Sequence, residues 1–82
     1  MDIDPSVCKA IIGVLKSCGR TRPLAVRPLT TFVNGELRVP VDTETVQAHV
    51  FDLEQRGYVE RRANAFNANI LEWIVTQAGM NL

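Results

Sequence analysis

The sequence predicts a small α+β domain in which three helices are followed by a C-terminal β-hairpin. Two observations lead to this fold class. Before Gly57, apolar residues recur at intervals of three and four, the spacing of helices with one buried side. After Gly57, two apolar runs flank a turn-rich stretch, which is typical of a hairpin. With 82 residues the chain can form one hydrophobic core, so we expect a single domain over residues 1–82.

Composition excludes some classes of protein. A hydrophobic share of 46% and a charged share of 22% are normal for a globular protein and argue against disorder. Nine basic and nine acidic residues cancel, so net charge does not indicate a nucleic-acid partner. No apolar run is long enough to cross a bilayer, and the acidic start, MDIDPSV, lacks the basic and apolar segments of a secretion signal. We therefore expect a cytoplasmic protein with no membrane partner.

Cysteine and histidine usage predicts neither a disulfide nor a metal site. Cys8 and Cys18 lie in one predicted helix, about 15 Å apart along its axis, which is too far for a disulfide. His49 is the only histidine and the chain has no CxxC motif, so a zinc site lacks ligands. We expect two reduced cysteines in the core, and no cofactor.

The first helix is predicted over Pro5–Cys18. Asp4 is a good capping residue, and Pro5 suits the first turn because its missing N–H would have no partner there. The apolar stripe consists of Val7, Ala10, Ile11, Val14, Leu15 and Cys18. Gly19 is a natural end for this helix.

The middle of the chain predicts a short strand and a short second helix. After the basic connector GRTRP, Leu24–Val26 is compatible with a strand, and Pro28 can begin a helix. The apolar side of this helix consists of Leu29, Phe32 and Val33. Asn34 and Gly35 form a strong turn signal, which predicts that the helix ends there. The following residues, 36–40, are predicted to be a loop or a strand of a few residues.

A third helix and the hairpin complete the predicted fold. Asp42 provides the cap of the third helix, and Gly57 follows its end as a C-terminal glycine should. The buried side of this helix consists of Val46, Val50 and Leu53. Tyr58–Ala63 and Ile70–Val75 are the predicted strands, joined by a turn-rich tip over Asn64–Asn69.

Three helices followed by a hairpin suggest a winged helix-turn-helix, and two motifs strengthen this prediction. The stretch DTETVQAHVFDLEQRGYVERR resembles the recognition-helix segment of the MarR and ArsR families of regulators, and WIVTQAG resembles their aromatic-x-aliphatic-Thr-x-x-Gly ending. The matching positions are Val46, His49, Val50, Leu53, Gly57, Tyr58, Val59, Arg61, Trp73, Val75, Thr76 and Gly79. We expect Leu53 and Trp73 to share one hydrophobic core, and Thr76 to cap a final turn.

The end of the sequence departs from these families. Their members usually continue beyond the Thr-x-x-Gly ending, and many dimerise through further helices. This sequence ends at Leu82, so we expect no dimer by that route and no small-molecule site between subunits. A domain this short also suits a protein encoded by a phage or mobile element.

The resemblance implies a small DNA-binding transcriptional regulator. In a helix-turn-helix, the outward side of the third helix enters the major groove of double-stranded DNA. Gln47 can make a paired contact with adenine, and Thr43 or Thr45 can hold a phosphate near the start of the helix. The predicted groove-facing set consists of Thr43, Thr45, Gln47, Ala48 and Phe51. The predicted phosphate contacts, in the wing and around the second helix, are Arg61, Arg62, Arg22, Arg27 and Arg38.

The charges of the third helix oppose this prediction. Its carboxylates outnumber its one basic residue, Arg56, although phosphate attraction supplies most of the nonspecific affinity for DNA. The carboxylates are Asp42, Glu44, Asp52 and Glu54. The arginines elsewhere in the chain can equally be solvated surface.

The alternative function is a winged-helix module that binds a protein and not DNA, since fold does not decide function. Ala48, Phe51 and Phe66 could form an exposed apolar patch for a protein partner or a second copy of the chain. Partial burial of Phe51 under the wing is the other interpretation of that residue.

No combination of residues in the sequence indicates an enzyme. The chain has no Gly-rich phosphate loop, metal cluster or Ser-His-Asp set. His49 lies at the rim of the buried stripe, one turn after Thr45, where we expect it to pack or to form hydrogen bonds. We therefore expect no catalysis and no bound metal.

Overall fold

Four helices and a three-stranded antiparallel sheet make up the computed structural model of the protein, which describes residues 2–82. The elements are α1 (Pro5–Cys18), β1 (Leu24–Ala25), α2 (Val26–Glu36), α3 (Thr43–Gln55), β2 (Val59–Ala63), β3 (Leu71–Val75) and α4 (Gln77–Met80). The strand order is β1-β3-β2, so β3 is the central strand. This is the predicted fold of three helices and a C-terminal hairpin, in which β1 joins the hairpin and α4 adds a final turn.

Local capping signals place the ends of α1 and α3. Asp4 Oδ1 accepts a hydrogen bond from the N–H of Ser6 at 2.8 Å, and Asp42 Oδ1 accepts one from the N–H of Thr45 at 2.8 Å. Gly57, at φ 84°, turns the chain after α3 in a left-handed conformation that favours glycine. Both helices therefore lie where the sequence predicts them.

The second helix is longer than predicted. It begins at Val26, before Pro28, and continues through Asn34 and Gly35 to Glu36. The prediction of a stop was wrong because the Asn34 side chain makes tertiary hydrogen bonds. Its Nδ2 donates to the carbonyl of Val41 at 3.0 Å, and its Oδ1 accepts from the N–H of Val41 at 2.9 Å. Asn34 thus holds the turn between α2 and α3 closed.

The hairpin register determines which side chains share a face. Val59 lies opposite Val75, and Arg61 lies opposite Trp73, in the antiparallel pairing of β2 with β3. On the other edge of β3, Leu24 of β1 also lies opposite Trp73. Trp73 therefore sits at the middle of the sheet.

One hydrophobic core joins the helices to the sheet. Leu53 and Trp73 belong to the same cluster of buried side chains, as the sequence predicts. The other members are Val7, Ala10, Ile11, Ile12, Val14, Leu15, Leu29, Val33, Val46, Val50, Val59 and Val75. The two cysteines are half buried at the edge of this cluster and are not paired.

The Thr-x-x-Gly motif holds the base of the wing, which is the hairpin formed by β2, β3 and the tip between them. The Thr76 hydroxyl donates to the carbonyl of Gly57 at 2.6 Å and accepts from the N–H of Gly79 at 3.1 Å. The Thr76 N–H donates to the carbonyl of Tyr58 at 3.0 Å. Gly79 packs so closely that an added Cβ would overlap the Tyr58 carbonyl and the Val75 side chain. The motif is therefore structural.

We predict that Gly79→Ala destabilises the protein by about 1–3 kcal/mol, because the new methyl group must displace backbone that is already packed. Urea unfolding of the wild type and the variant measures the difference. Gly13→Ala is the matched control, since a Cβ at Gly13 meets nothing within 4 Å. This control should gain about 0.5–1 kcal/mol from better helix propensity. Equal stability of Gly79→Ala and the wild type would contradict the structural role assigned to Gly79.

Candidate nucleic-acid interface

The side of α3 that faces away from the core is polar and acidic. Glu44 and Gln55 are exposed, and Ala48 lies half buried between them along the helix. Three other predicted groove-facing residues, Thr43, Thr45 and Gln47, are half buried. This side of α3 therefore carries no basic side chain, and any attraction to phosphate must come from neighbouring elements.

Phe51 lies between α3 and the wing and not on the exposed side of the helix. Its ring meets the Trp73 ring edge to face, with centroids 5.5 Å apart. Phe51 is half buried, as in the second of the two interpretations of its sequence position. Phe51 is therefore partly covered by the wing and is not a fully exposed member of the predicted apolar patch.

Arg61 connects the wing to α3. Its Nε and Nη2 donate to the two carboxylate oxygens of Glu54, each at 2.7 Å. Its guanidinium carbon also lies 5.7 Å from the centroid of Phe51 and 5.4 Å from a ring of Trp73, within cation–π range. These hydrogen bonds raise the pKa of Arg61 and lower the pKa of Glu54. Arg61 was predicted from sequence as a wing contact to DNA, but here its two bonded donors face protein.

Ion pairs reduce the repulsion expected from the acidic residues of α3. The Nε of Arg56 lies 2.9 Å from Oδ2 of Asp52, and Arg61 forms an ion pair with Glu54 from the wing. The Asp42 carboxylate is occupied as the N-terminal cap, and hydrogen bonds from Thr45 lower its pKa. Asp42, the cap, and Glu44, in the first turn, are the exposed carboxylates of this segment that form no ion pair within residues 2–82. The helix is therefore less repulsive toward phosphate than its composition indicates.

The remaining predicted arginines fall into two groups. Arg27, at the start of α2, and Arg38, in the turn between α2 and α3, are exposed, and neither takes part in an ion pair within residues 2–82. Arg62 is exposed on the face of β2 opposite to Arg61 and pairs with Glu60 at 2.8 Å. These three are accessible from solvent.

Arg22 lies in a groove beside α1 and α2. It lines a shallow groove formed by α1, α2 and the connector between α1 and β1, beside Phe32 and Glu36. No residue of α3 or of the wing lines this groove. The structure therefore places Arg22 beside α1 and α2, in a groove that α3 and the wing do not line.

His49 is a structural residue inside α3. Its side chain is 1% exposed, and its Nε2 accepts a hydrogen bond from the N–H of Asp4 at 2.9 Å. Since Nε2 is the acceptor, the proton is on Nδ1, which lies 2.7 Å from the carbonyl of Thr45 and donates to it. His49 thus ties the start of α1 to the middle of α3, in agreement with the predicted hydrogen-bonding role.

The wing tip is uncharged and presents one aromatic side chain. Phe66 is 99% exposed. The tip is held by Asn64 Oδ1, which accepts from the N–H groups of Phe66 and Asn67 at 2.8 and 3.1 Å. The tip therefore lacks any basic group for a phosphate contact.

A second groove follows α1, between Ile3 near the N-terminus and Leu82, and contains Cys8, whose pKa is raised by burial. Within residues 2–82, no cluster of three His, Cys, Asp or Glu side chains is arranged to hold a metal ion. None of the described helices has the length and apolar character needed to cross a membrane.

We predict that Glu54→Gln removes a part of the stability that depends on pH. Arg61 holds the pKa of Glu54 below its usual value of 4.5, so the ion pair stabilises the fold above pH 4.5 and is lost as the pH falls through the lower pKa of the folded state. The urea midpoint of the wild type should exceed that of the variant at neutral pH, and the two should converge in acid. A difference in urea midpoint that does not change with pH would contradict a stabilising ion pair between Glu54 and Arg61.

Known proteins share the fold of this chain, although they are not similar to it in sequence. No protein-family model matches the sequence, and no curated protein matches it either. Solved structures match over nearly the whole chain. MepR of S. aureus in complex with DNA superposes with a TM-score of 0.76 over 98% of this chain and 58% of that chain, at 16% identity. A mutant of MarR from E. coli complexed with operator DNA gives 0.74 over 98% and 50%, at 18% identity.

A third neighbour, a transcriptional regulator of the MarR family from Silicibacter pomeroyi, gives a TM-score of 0.73 over 93% of this chain and 44% of that chain, at 17% identity. The chain spans about half the length of these solved structures. Identities this low show a shared fold and do not transfer residue roles. The sequence resemblance is therefore confirmed at the level of structure, and the chain has the winged helix-turn-helix fold of MarR-family transcriptional regulators.

Proposed function

We propose that this domain binds double-stranded DNA as a transcriptional regulator, with the exposed side of α3 in the major groove and basic side chains on the flanking phosphates. The observation that carries the proposal is the placement of three accessible arginines, Arg27, Arg38 and Arg62, on the elements that flank α3. Two of the solved structures with this fold are DNA complexes. We propose the cytoplasm as the place where such a regulator acts.

The proposed base contacts come from the first half of α3. Gln47 has the amide that can pair with N6 and N7 of adenine, and Thr43 lies in the first turn, where its hydroxyl can reach a phosphate. Ala48 is small enough to let the groove approach the helix, and it can contact a thymine methyl group. Because Asp52 and Glu54 are already paired with arginines, Asp42 and Glu44 are the carboxylates that oppose this approach.

The proposed phosphate contacts are few, so affinity should be moderate. Arg27 and Arg38 lie in α2 and in the turn after it, and Arg62 lies on the wing. Three phosphate contacts predict that log K falls with log salt at a slope of about −3. Binding should therefore be clear at low salt and weak at physiological salt.

A protein partner is the second candidate, and Phe66 is the observation in its favour. A phenylalanine that is 99% exposed can be buried by a partner or by a second copy of the chain. Phe51 does not extend this surface, because it packs against Trp73. On the wing, Ile70 is exposed beside the tip that carries Phe66, and Phe32 and Val39 are exposed on other elements.

We predict that a labelled nonspecific duplex binds at low salt, with amide shifts in α3, in the turn before it and in the wing. Arg27→Ala, Arg38→Ala and Arg62→Ala should each reduce the salt slope by about one, because each removes one phosphate contact. Lys9→Ala is the control. Lys9 is an exposed cation on α1, on the groove between Ile3 and Leu82, and its loss should leave the slope unchanged.

The same titration can reject the proposal. Absence of any amide shift at low salt would exclude DNA binding by this domain. Shifts confined to residues around Phe66, unaffected by salt, would indicate an apolar partner surface instead. Equal slopes for the wild type and all three arginine variants would show that the phosphate contacts are wrongly assigned.

A further inference from the structure

Along β2, the apolar contacts that hold the wing are confined to its base, whereas β3 is also held by the buried Trp73 and by its pairing with β1. Val59 and Val75, which lie opposite each other, are fully buried. Towards the tip on the same face, Arg61 pairs with Trp73, and beyond them Ala63 is exposed. The outer half of β2 therefore has little apolar surface with which to hold the hairpin against α3.

Arg61 holds the outer half of β2 against α3 through its charge and its flat guanidinium group. The bidentate pair with Glu54 fixes the distance and the orientation between β2 and the last turn of α3. The same guanidinium lies beside Phe51 of α3 and Trp73 of β3, so one side chain bridges the helix and both strands of the wing. An isolated surface ion pair contributes little, but stacking on two aromatic rings limits the freedom of the pair in solvent.

We propose that Arg61 is a positioning residue that fixes the angle between the wing and α3, and that Glu54 is required for DNA affinity although it is acidic. This inference rests on the proposed function. A wing that is already held in place loses less conformational freedom on binding, and Arg62, on the opposite face of β2, is then presented to phosphate. Arg61 itself does not contact phosphate.

A positioning role and a purely electrostatic role for Glu54 predict opposite changes in DNA affinity when Glu54 is replaced. If Glu54 acted only through its charge, its removal would strengthen binding to a polyanion. If Glu54 holds Arg61, its removal frees the wing and weakens binding. The two accounts therefore predict opposite results for Glu54→Gln.

The test measures duplex affinity across a range of salt concentrations for Glu54→Gln, Arg61→Lys, Arg61→Ala and Arg62→Ala. We expect Glu54→Gln and Arg61→Lys to weaken binding about 3- to 10-fold with the salt slope unchanged, since lysine keeps the charge but cannot form the paired hydrogen bonds. Arg62→Ala should instead reduce the slope by about one. Amide spectra establish that each variant is folded.

Two results would overturn the proposal. One is a Glu54→Gln variant that binds as tightly as the wild type or more tightly. The other is an Arg61→Ala variant whose salt slope falls by about one, which would make Arg61 a phosphate contact.

Failure of the proposed function can be told apart from failure of this inference. If the wild type binds no duplex at low salt, hydrogen exchange of the free protein still tests the positioning role. Amides of β2 and β3 that face each other near Arg61 and Trp73 should then exchange faster in Glu54→Gln than in the wild type. Unchanged exchange would reject the role of Glu54 in holding the wing.

Discussion

The packing of Trp73 against the helices is the constraint on which the rest of the structure depends. Trp73 is 1% exposed, lies on the central strand, and is paired with Leu24 on one side and Arg61 on the other. A buried aromatic side chain of this size contributes more to the core of an 82-residue domain than any aliphatic one. Its position brings the sheet under α3, and with it the wing.

The same packing decides which parts of α3 are free to bind a ligand. Because the Phe51 ring turns toward Trp73, the wing covers that flank of the helix, and Arg61 and Glu54 meet across it. The exposed strip of α3 is then narrow, polar and without a basic side chain. In the proposed complex with DNA, recognition is therefore shared between α3 and its neighbours, and the wing is part of the proposed binding surface.

Elements with local signals were predicted well. Asp4, Asp42 and Thr76 cap helices with their own side chains, and Gly57 supplies a left-handed residue, so each boundary depends on a few adjacent residues. The end of α2 was missed because Asn34 bonds to Val41, which no local rule indicates. A turn-forming residue can remain helical when its side chain finds a tertiary partner.

The sequence by itself determined the order of elements, the buried sides of the helices and the wing, because periodicity and capping act over one or two turns. Only the tertiary structure decided the surroundings of Phe51 and Arg61. A helical wheel assigns Phe51 to solvent, and the charge of Arg61 suggests solvent although Arg61 shares a face of β2 with the buried Val59. Their partners, Trp73 and Glu54, are brought to them by the packing of α3 against the hairpin. Long-range pairing follows from how α3 and the sheet pack together, and that information is not contained in any single segment.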